Sequence, residues 1–229
     1  MKINDKNFSK IELQKNKIII NKKRKFYPLG KITEEGINKA KMFASNMTFN
    51  KEGEHRENRS GGTLKRNQKE IFINTFRGKL AEIAFYEFFK DKKNIIISEP
   101  DFETYKKGRW DELDFTLNNH KINVKSSTHF SNLLLLEKSD WNLDAQYIPN
   151  ISKTTKSYDF FFFIRVHASD NTFPFDIPGY ITNRDLKTII SEKQFVLKGD
   201  FLGSKRLDAD NYYVQADDLR RINLKKLGI

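Results

Sequence analysis

Residues 110–127 read WDELDFTLNNHKINVKSS, a pattern of two short strands around a tight turn. Asn118 and Asn119 suit the turn, because asparagine tolerates the positive φ that a two-residue hairpin connection demands. With these two at the tip, Leu117 faces His120, Phe115 faces Ile122, Asp114 faces Asn123, Leu113 faces Val124 and Glu112 faces Lys125. Facing residues project to the same side of a sheet. One side is therefore expected to gather Leu113, Phe115, Leu117, Ile122 and Val124. The other gathers Glu112, Asp114, Thr116, Asn123 and Lys125. The apolar side gives the hairpin its reason to fold. The polar side brings carboxylates, an amide and an ammonium within reach of one another. An ordinary amphipathic hairpin shows the same alternation, so the functional reading depends on what surrounds it.

Upstream, residues 69–90 (KEIFINTFRGKLAEIAFYEFFK) repeat apolar side chains at three- and four-residue steps through Phe72, Phe76, Leu80, Ile83, Ala84 and Phe88, which predicts a long helix. Glu82 lies among apolar neighbours, where a carboxylate needs a partner such as a metal or a cation. Lys79, three residues earlier, is one such partner. Residues 33–47 predict a second helix, capped by Thr33 and with Glu34 and Glu35 at its positive end. Between the helices, residues 50–68 (NKEGEHRENRSGGTLKRNQ) form a polar, glycine-bearing loop. Loops of this length are commonly functional, and Arg56, Arg59, Lys65 and Arg66 are expected to contact DNA there. Residues 94–98 (NIIIS) predict a short buried strand.

Downstream, residues 133–136 read as a strand or a helix start. Residues 157–166 (SYDFFFFIRV) read as a central strand buried on both faces. Residues 175–180 (FDIPGY) predict a turn, 182–191 a short helix capped by Thr182 or Asn183, 212–215 a last strand, and 216–227 a short basic helix. Near the start, residues 17–21 predict a strand followed by Lys22-Lys23-Arg24-Lys25, either a solvated charge run or an arm that contacts phosphates.

The 229 residues suffice for one large domain, spanning 1–229 with its core at about 69–190. A net charge of +12 favours a polyanionic partner. No cysteine is present, which excludes disulfides and thiolate metal sites. The four histidines show no zinc spacing, and there is no glycine loop of the nucleotide-binding kind, so neither zinc nor a nucleotide cofactor is expected. No apolar run is long enough to span a bilayer and the first residues lack an apolar signal core. The expectation is a soluble, cytoplasmic protein without a membrane partner.

Glu82 in GKLAEIAF, Asp114 in ELDF and Lys125 in INVKSS together resemble the core of the PD-(D/E)XK nucleases, which include many type II restriction endonucleases. The resemblance covers about residues 69–127 and a following buried strand. It implies an α/β fold, a mixed central β-sheet flanked by helices with a restriction-endonuclease-like core. It also implies Mg²⁺-dependent, sequence-specific hydrolysis of double-stranded DNA by a homodimer. Carried over by position, Asp114 is the main metal ligand and the Val124 carbonyl another. Glu82 binds through water or at a second metal, and Lys125 is the catalytic lysine. Hard divalent cations want oxygen ligands of this kind, and a nearby ammonium opposes the charge that develops on the phosphate.

Asn123 departs from that pattern, since the family places a carboxylate there. Three readings stand: an engineered Asp→Asn change, a natural variant in which Glu112 or Glu82 supplies the charge, or a pseudo-nuclease that binds DNA without cutting it. A repair nickase or junction resolvase of the same fold is a further alternative.

Overall fold

The computed structural model describes residues 6–49, 67–103, 113–150, 157–169 and 172–224. In chain order the elements are β1 (Glu12–Gln14), β2 (Lys17–Ile19), β3 (Gly30–Lys31), α1 (Glu34–Phe49), α2 (Gln68–Phe89), β4 (Phe115–Leu117), β5 (His120–Thr128), β6 (Leu133–Glu137), β7 (Phe160–Val166), β8 (Pro174–Thr182), α3 (Asn183–Ser191), β9 (Phe195–Val196), β10 (Phe201–Leu202), β11 (Lys205–Arg206) and β12 (Asn211–Gln215). The class is α/β, with a mixed five-stranded central sheet in the order β3-β8-β7-β5-β4. β5 and β7 run parallel, and the other neighbours are antiparallel.

The hairpin has the expected register: Phe115 pairs with Ile122, Thr116 with Lys121 and Leu117 with His120. Asn118 (φ 44°) and Asn119 (φ 65°) supply the two left-handed turn residues. Every residue of β7 is buried. Its alternate side chains feed two cores, Phe160, Phe162 and Ile164 on one face and Phe161 and Phe163 on the other. On the first face α2 lays Leu80, Ala84, Phe85 and Phe89 against Phe115, Ile122 and Phe162, with α1 contributing Ala40. Phe85 lies 4.7 Å from Phe89, 5.2 Å from Phe115 and 4.9 Å from Phe162, ring to ring. Each such buried side chain stabilises the fold by roughly 1.5–3 kcal/mol. The second face is covered by Leu186, Ile189 and Ile190 of α3 and by Leu134, Leu136, Tyr212 and Val214 of a smaller antiparallel sheet, β6-β12-β9. A third sheet, β1-β2-β10-β11, adjoins these.

All three helices start where side chains satisfy the first free N–H groups. The Thr33 hydroxyl accepts from Gly36 N at 3.1 Å, Asn67 and Glu70 form a capping box on α2, and Thr182 and Asp185 form one on α3.

Four sequence expectations are corrected. Leu113 packs on the second core rather than with Phe115, because the chain leaves the ladder at Asp114. Residues 94–98 do not form a buried strand. They make one isolated bridge, Ile97 to Leu117, along the outer edge of β4, and Ile96 is 80% exposed. Residues 175–180 lie within strand β8 rather than in a turn. Pro178 is accommodated there because the β7–β8 register shifts between Phe163 and Arg165, and a bulge needs no ladder N–H at that point. Gly179 is required at φ +154°, where an added Cβ would lie 2.3 Å from the Arg220 carbonyl oxygen. Finally, residues 216–218 make a single 3-10 turn, and residues 219–223 are not helical.

One buried charge ties distant segments together. Arg165 is completely buried, and its guanidinium donates to Asp176 Oδ1 (2.8 Å) and Oδ2 (2.5 Å), to Arg24 O (2.8 Å), to Ser131 O (3.0 Å) and to Lys25 O (3.1 Å). All five of its N–H donors can thus be used, as a buried guanidinium requires.

Candidate active site

Just before β4 begins, Asp114 turns its side chain towards β5. Its Oδ2 accepts the Val124 N–H at 2.6 Å, so a carboxylate takes the place of the next ladder rung. Burial raises the Asp114 carboxyl above its ordinary range, opposed by Lys125, by the Val124 N–H and by Lys79. Asp114 therefore feels Lys125 from β5 and Lys79 from α2 at once.

Glu82 approaches from α2. Its Oε2 accepts from Lys79 Nζ at 2.6 Å, and Lys79 also donates to the Asp101 carbonyl at 2.5 Å. Lys79 is buried, with its ammonium 4.4 Å from the Phe43 ring centre and 5.4 Å from that of Phe102. Burial raises Glu82 to about 7. Lys79 opposes the rise, and the charges of Asp114 and Asp101 add to it. The direction follows from two carboxylates sharing one poorly hydrated notch.

Lys79, Glu82, Asp114 and Lys125 thus form a row with two carboxylates between two ammonium groups, and their formal charges cancel. Asn123 adjoins Val124 on β5 and pairs in register with Phe161, whose ring lies in the second core. It is 6% exposed, and its Oδ1 is buried without a hydrogen-bond partner. An orphaned buried acceptor costs roughly 1–3 kcal/mol, so this oxygen sits where something positive is wanted.

The oxygens of Asp114 and Glu82, and on β5 Asn123 Oδ1 and the Val124 carbonyl, are of the kind a hard divalent cation selects. They bring two formal charges where a third carboxylate at position 123 would bring three. Among the described residues, no three His, Asp or Glu side chains form a ready metal cluster. The donor set fits Mg²⁺ in kind and falls one carboxylate short in charge.

Sequence reasoning picked out Glu82, Asp114, Asn123 and Lys125, and saw Lys79 only as a local partner of Glu82. The helical spacing of three residues between Lys79 and Glu82 was the available signal. Nothing local announced the Asp101 carbonyl. Glu112, Arg56, Arg59, Lys65 and Arg66 lie outside the described residues, so the expected loop contacts are not described. Arg24 is not a free phosphate ligand, because its guanidinium donates to the Pro178 and Asp217 carbonyls and to Asp217 Oδ1. A cleft of about 700 Å³ lies near residues 23–27, and none of Glu82, Asp114, Asn123 or Lys125 lines it. Its apolar floor of Phe88, Ile177 and Ile222 lacks the converging carboxylates that phosphoryl chemistry needs.

Among the described residues, no helix is long and apolar enough to cross a membrane. No protein-family model, no curated protein and no solved structure matches the chain.

Proposed function

We propose that the chain is a Mg²⁺-dependent endonuclease acting on double-stranded DNA, built around a PD-(D/E)XK-like core and impaired at position 123. The observation that supports this reading is the meeting of Glu82, Asp114 and Lys125 from three separate segments, with the unpartnered oxygen of Asn123 two residues before Lys125 on β5. An amphipathic hairpin with a merely solvated outer face has no reason to set a half-buried carboxylate against a second one from a neighbouring helix.

In this reading the Val124 N–H fixes the rotamer of Asp114, leaving its second oxygen for a ligand. Lys79 holds Glu82 in place and balances its charge while the site is at rest. Lys125 projects from the same strand and supplies positive charge against the phosphate in the transition state. A cation at these oxygens would polarise the scissile phosphate and make a bound water more acidic. A two-fold dimer of such a nuclease would match a palindromic duplex site.

Asn123→Asp restores the third carboxylate, and that variant with Mg²⁺ is expected to cut phage DNA into discrete bands. Asp114→Ala or Lys125→Ala in the same background should abolish cutting while largely sparing DNA binding. Absence of Mg²⁺-dependent cleavage by the Asn123→Asp protein would sink the nuclease reading. DNA binding without cleavage in that variant would leave the second reading, a DNA-binding pseudo-nuclease, which the neutral residue at 123 favours.

A further inference from the structure

At the far end of β5 from Asp114, the turn after the strand carries His129 and Phe130. The end of the parallel strand β7 carries His167. The two imidazoles meet in a tilted contact, with centroids 3.7 Å apart at 32°. Phe26 meets both edge-on, at 5.9 and 6.1 Å, and Phe130 meets His129 edge-on at 5.2 Å. The buried Arg165 guanidinium lies 5.6 Å from the Phe26 ring centre. Phe130 is 72% exposed, so its ring is turned to solvent rather than into a core.

A basic strip runs directly into this cluster. Lys22, Lys23 and Lys25 are exposed, yet their backbone is fixed at several points. Gln215 Oε1 accepts from Asn21 N (2.8 Å) and Lys22 N (2.9 Å), Asn132 Oδ1 accepts from Arg24 N (2.7 Å), and Arg165 donates to the Arg24 and Lys25 carbonyls. Asn132 also donates to the Phe130 carbonyl at 3.2 Å, and Arg165 donates to Ser131 O, so strip and turn form one braced unit. Burial, His167 and Arg165 hold the His129 imidazole below its ordinary pKa, which favours its neutral form.

We propose that this ring cluster is a stacking platform for an unpaired nucleobase of a DNA strand, with the braced lysines taking the adjoining phosphates. Rings that offer a π-face beside a cationic track are how proteins hold single strands without base-specific hydrogen bonds. Bracing the strip beforehand lowers the ordering cost of binding. The inference rests on the nucleic-acid reading above and sharpens its substrate. Lys125 and His129 are four residues apart, roughly 13 Å along an extended strand, so a strand held at the platform extends only a few nucleotides from Lys125.

The test is binding in EDTA, so that cleavage plays no part. The probes are a 2-aminopurine-labelled single strand, a duplex with a single-stranded overhang, and a blunt duplex of the same sequence. The full chain should bind the first two more tightly than the third, with quenching of the stacked 2-aminopurine. Phe130→Ala should weaken single-strand and overhang binding about ten-fold, the scale of one base–aromatic stack. It should also abolish the quench and leave blunt-duplex affinity within about two-fold. Phe130→Trp should retain the preference, which separates stacking from loss of fold. Lys22→Ala with Lys25→Ala should lower the slope of log affinity against log salt by about 1.4 for the single strand. The proposal is overturned if Phe130→Ala leaves single-strand affinity unchanged, or weakens all three probes alike. It is also overturned if the main effect of Phe130→Ala is to dissociate a dimer, which would make the ring a contact between copies. Blunt-duplex binding without single-strand preference defeats the platform alone, whereas failure to bind any of the probes defeats the nucleic-acid reading with it.

Discussion

Restoring a carboxylate at position 123 should destabilise the metal-free protein and make it depend on a divalent cation. The row Lys79, Glu82, Asp114, Lys125 is balanced, and Asn123, next to Val124 on β5, is 6% exposed. Asn123→Asp adds one buried negative charge on the strand whose Val124 N–H already holds Asp114. An uncompensated buried ion costs several kcal/mol after relaxation, and about 3 kcal/mol is a reasonable figure for a site with two lysines nearby. For a chain of this length each kcal/mol moves Tm by about 2–4 °C. The variant should therefore melt about 6–12 °C below the parent in EDTA at pH 8. In 10 mM MgCl₂, an ion held with a Kd of about 0.1 mM returns about 2.7 kcal/mol, or about 5–11 °C. The parent, with a neutral row and a neutral amide, should gain less than about 3 °C. Differential scanning fluorimetry with and without EDTA reads both shifts. Equal melting of parent and variant in EDTA would refute the view that a charge at position 123 is buried and uncompensated. Equal Mg²⁺ shifts in both would refute the view that the missing carboxylate limits metal binding.

Three further outcomes follow from the same geometry. Glu82 is raised in the folded state from 4.5 to about 7. The folded protein therefore holds its proton more tightly than the unfolded chain, and this contribution is fully present below pH 4.5 and lost as pH rises through about 7. In EDTA, the parent should lose about 2–3 kcal/mol more than Glu82→Gln between pH 4.5 and pH 8; identical pH dependence in urea titrations would contradict this. Asp176→Ala leaves the fully buried Arg165 without its counter-charge and should cost about 3–5 kcal/mol in the same assay, and a loss under 1 kcal/mol would show that water or another group replaces the carboxylate. Gly179→Ala forces a Cβ against the Arg220 carbonyl at 2.3 Å and should cost at least about 2 kcal/mol, visible as a fall in the urea midpoint. An unchanged midpoint would mean that the segment around Arg220 shifts freely.

The register of the hairpin was legible because two adjacent asparagines fix a turn type and alternation fixes the faces. The helix around Phe85 and the buried strand at residues 160–166 were legible for the same kind of reason, a period carried by large side chains. The Pro178-Gly179 pair misled because its usual meaning is a turn. Its role on β8 depends on a bulge against β7 and on the Arg220 carbonyl, which is 41 residues away in sequence from Gly179. Leu113 misled because strict alternation assumes an unbroken ladder, and the Asp114 side chain breaks it by taking the Val124 N–H. Within the candidate site, Glu82, Asp114 and Lys125 were visible as letters in a motif. The clamp of Lys79 by the Asp101 carbonyl and two phenylalanine rings was not, because a backbone oxygen leaves no trace in residue identity.

The braced basic strip has a consequence for the order of events during synthesis. Its backbone is held by Gln215 and its Arg24 side chain by Asp217, partners that follow it by about two hundred positions. A chain growing from its N-terminus exposes these lysines early, but they cannot be arranged until residues 215–217 have emerged. Contacts of such long sequence separation also form late in folding, since loop closure precedes their reward. The surface best suited to gripping a polyanion is thus withheld from the nascent chain, in the one compartment where ribosomal RNA is everywhere at hand.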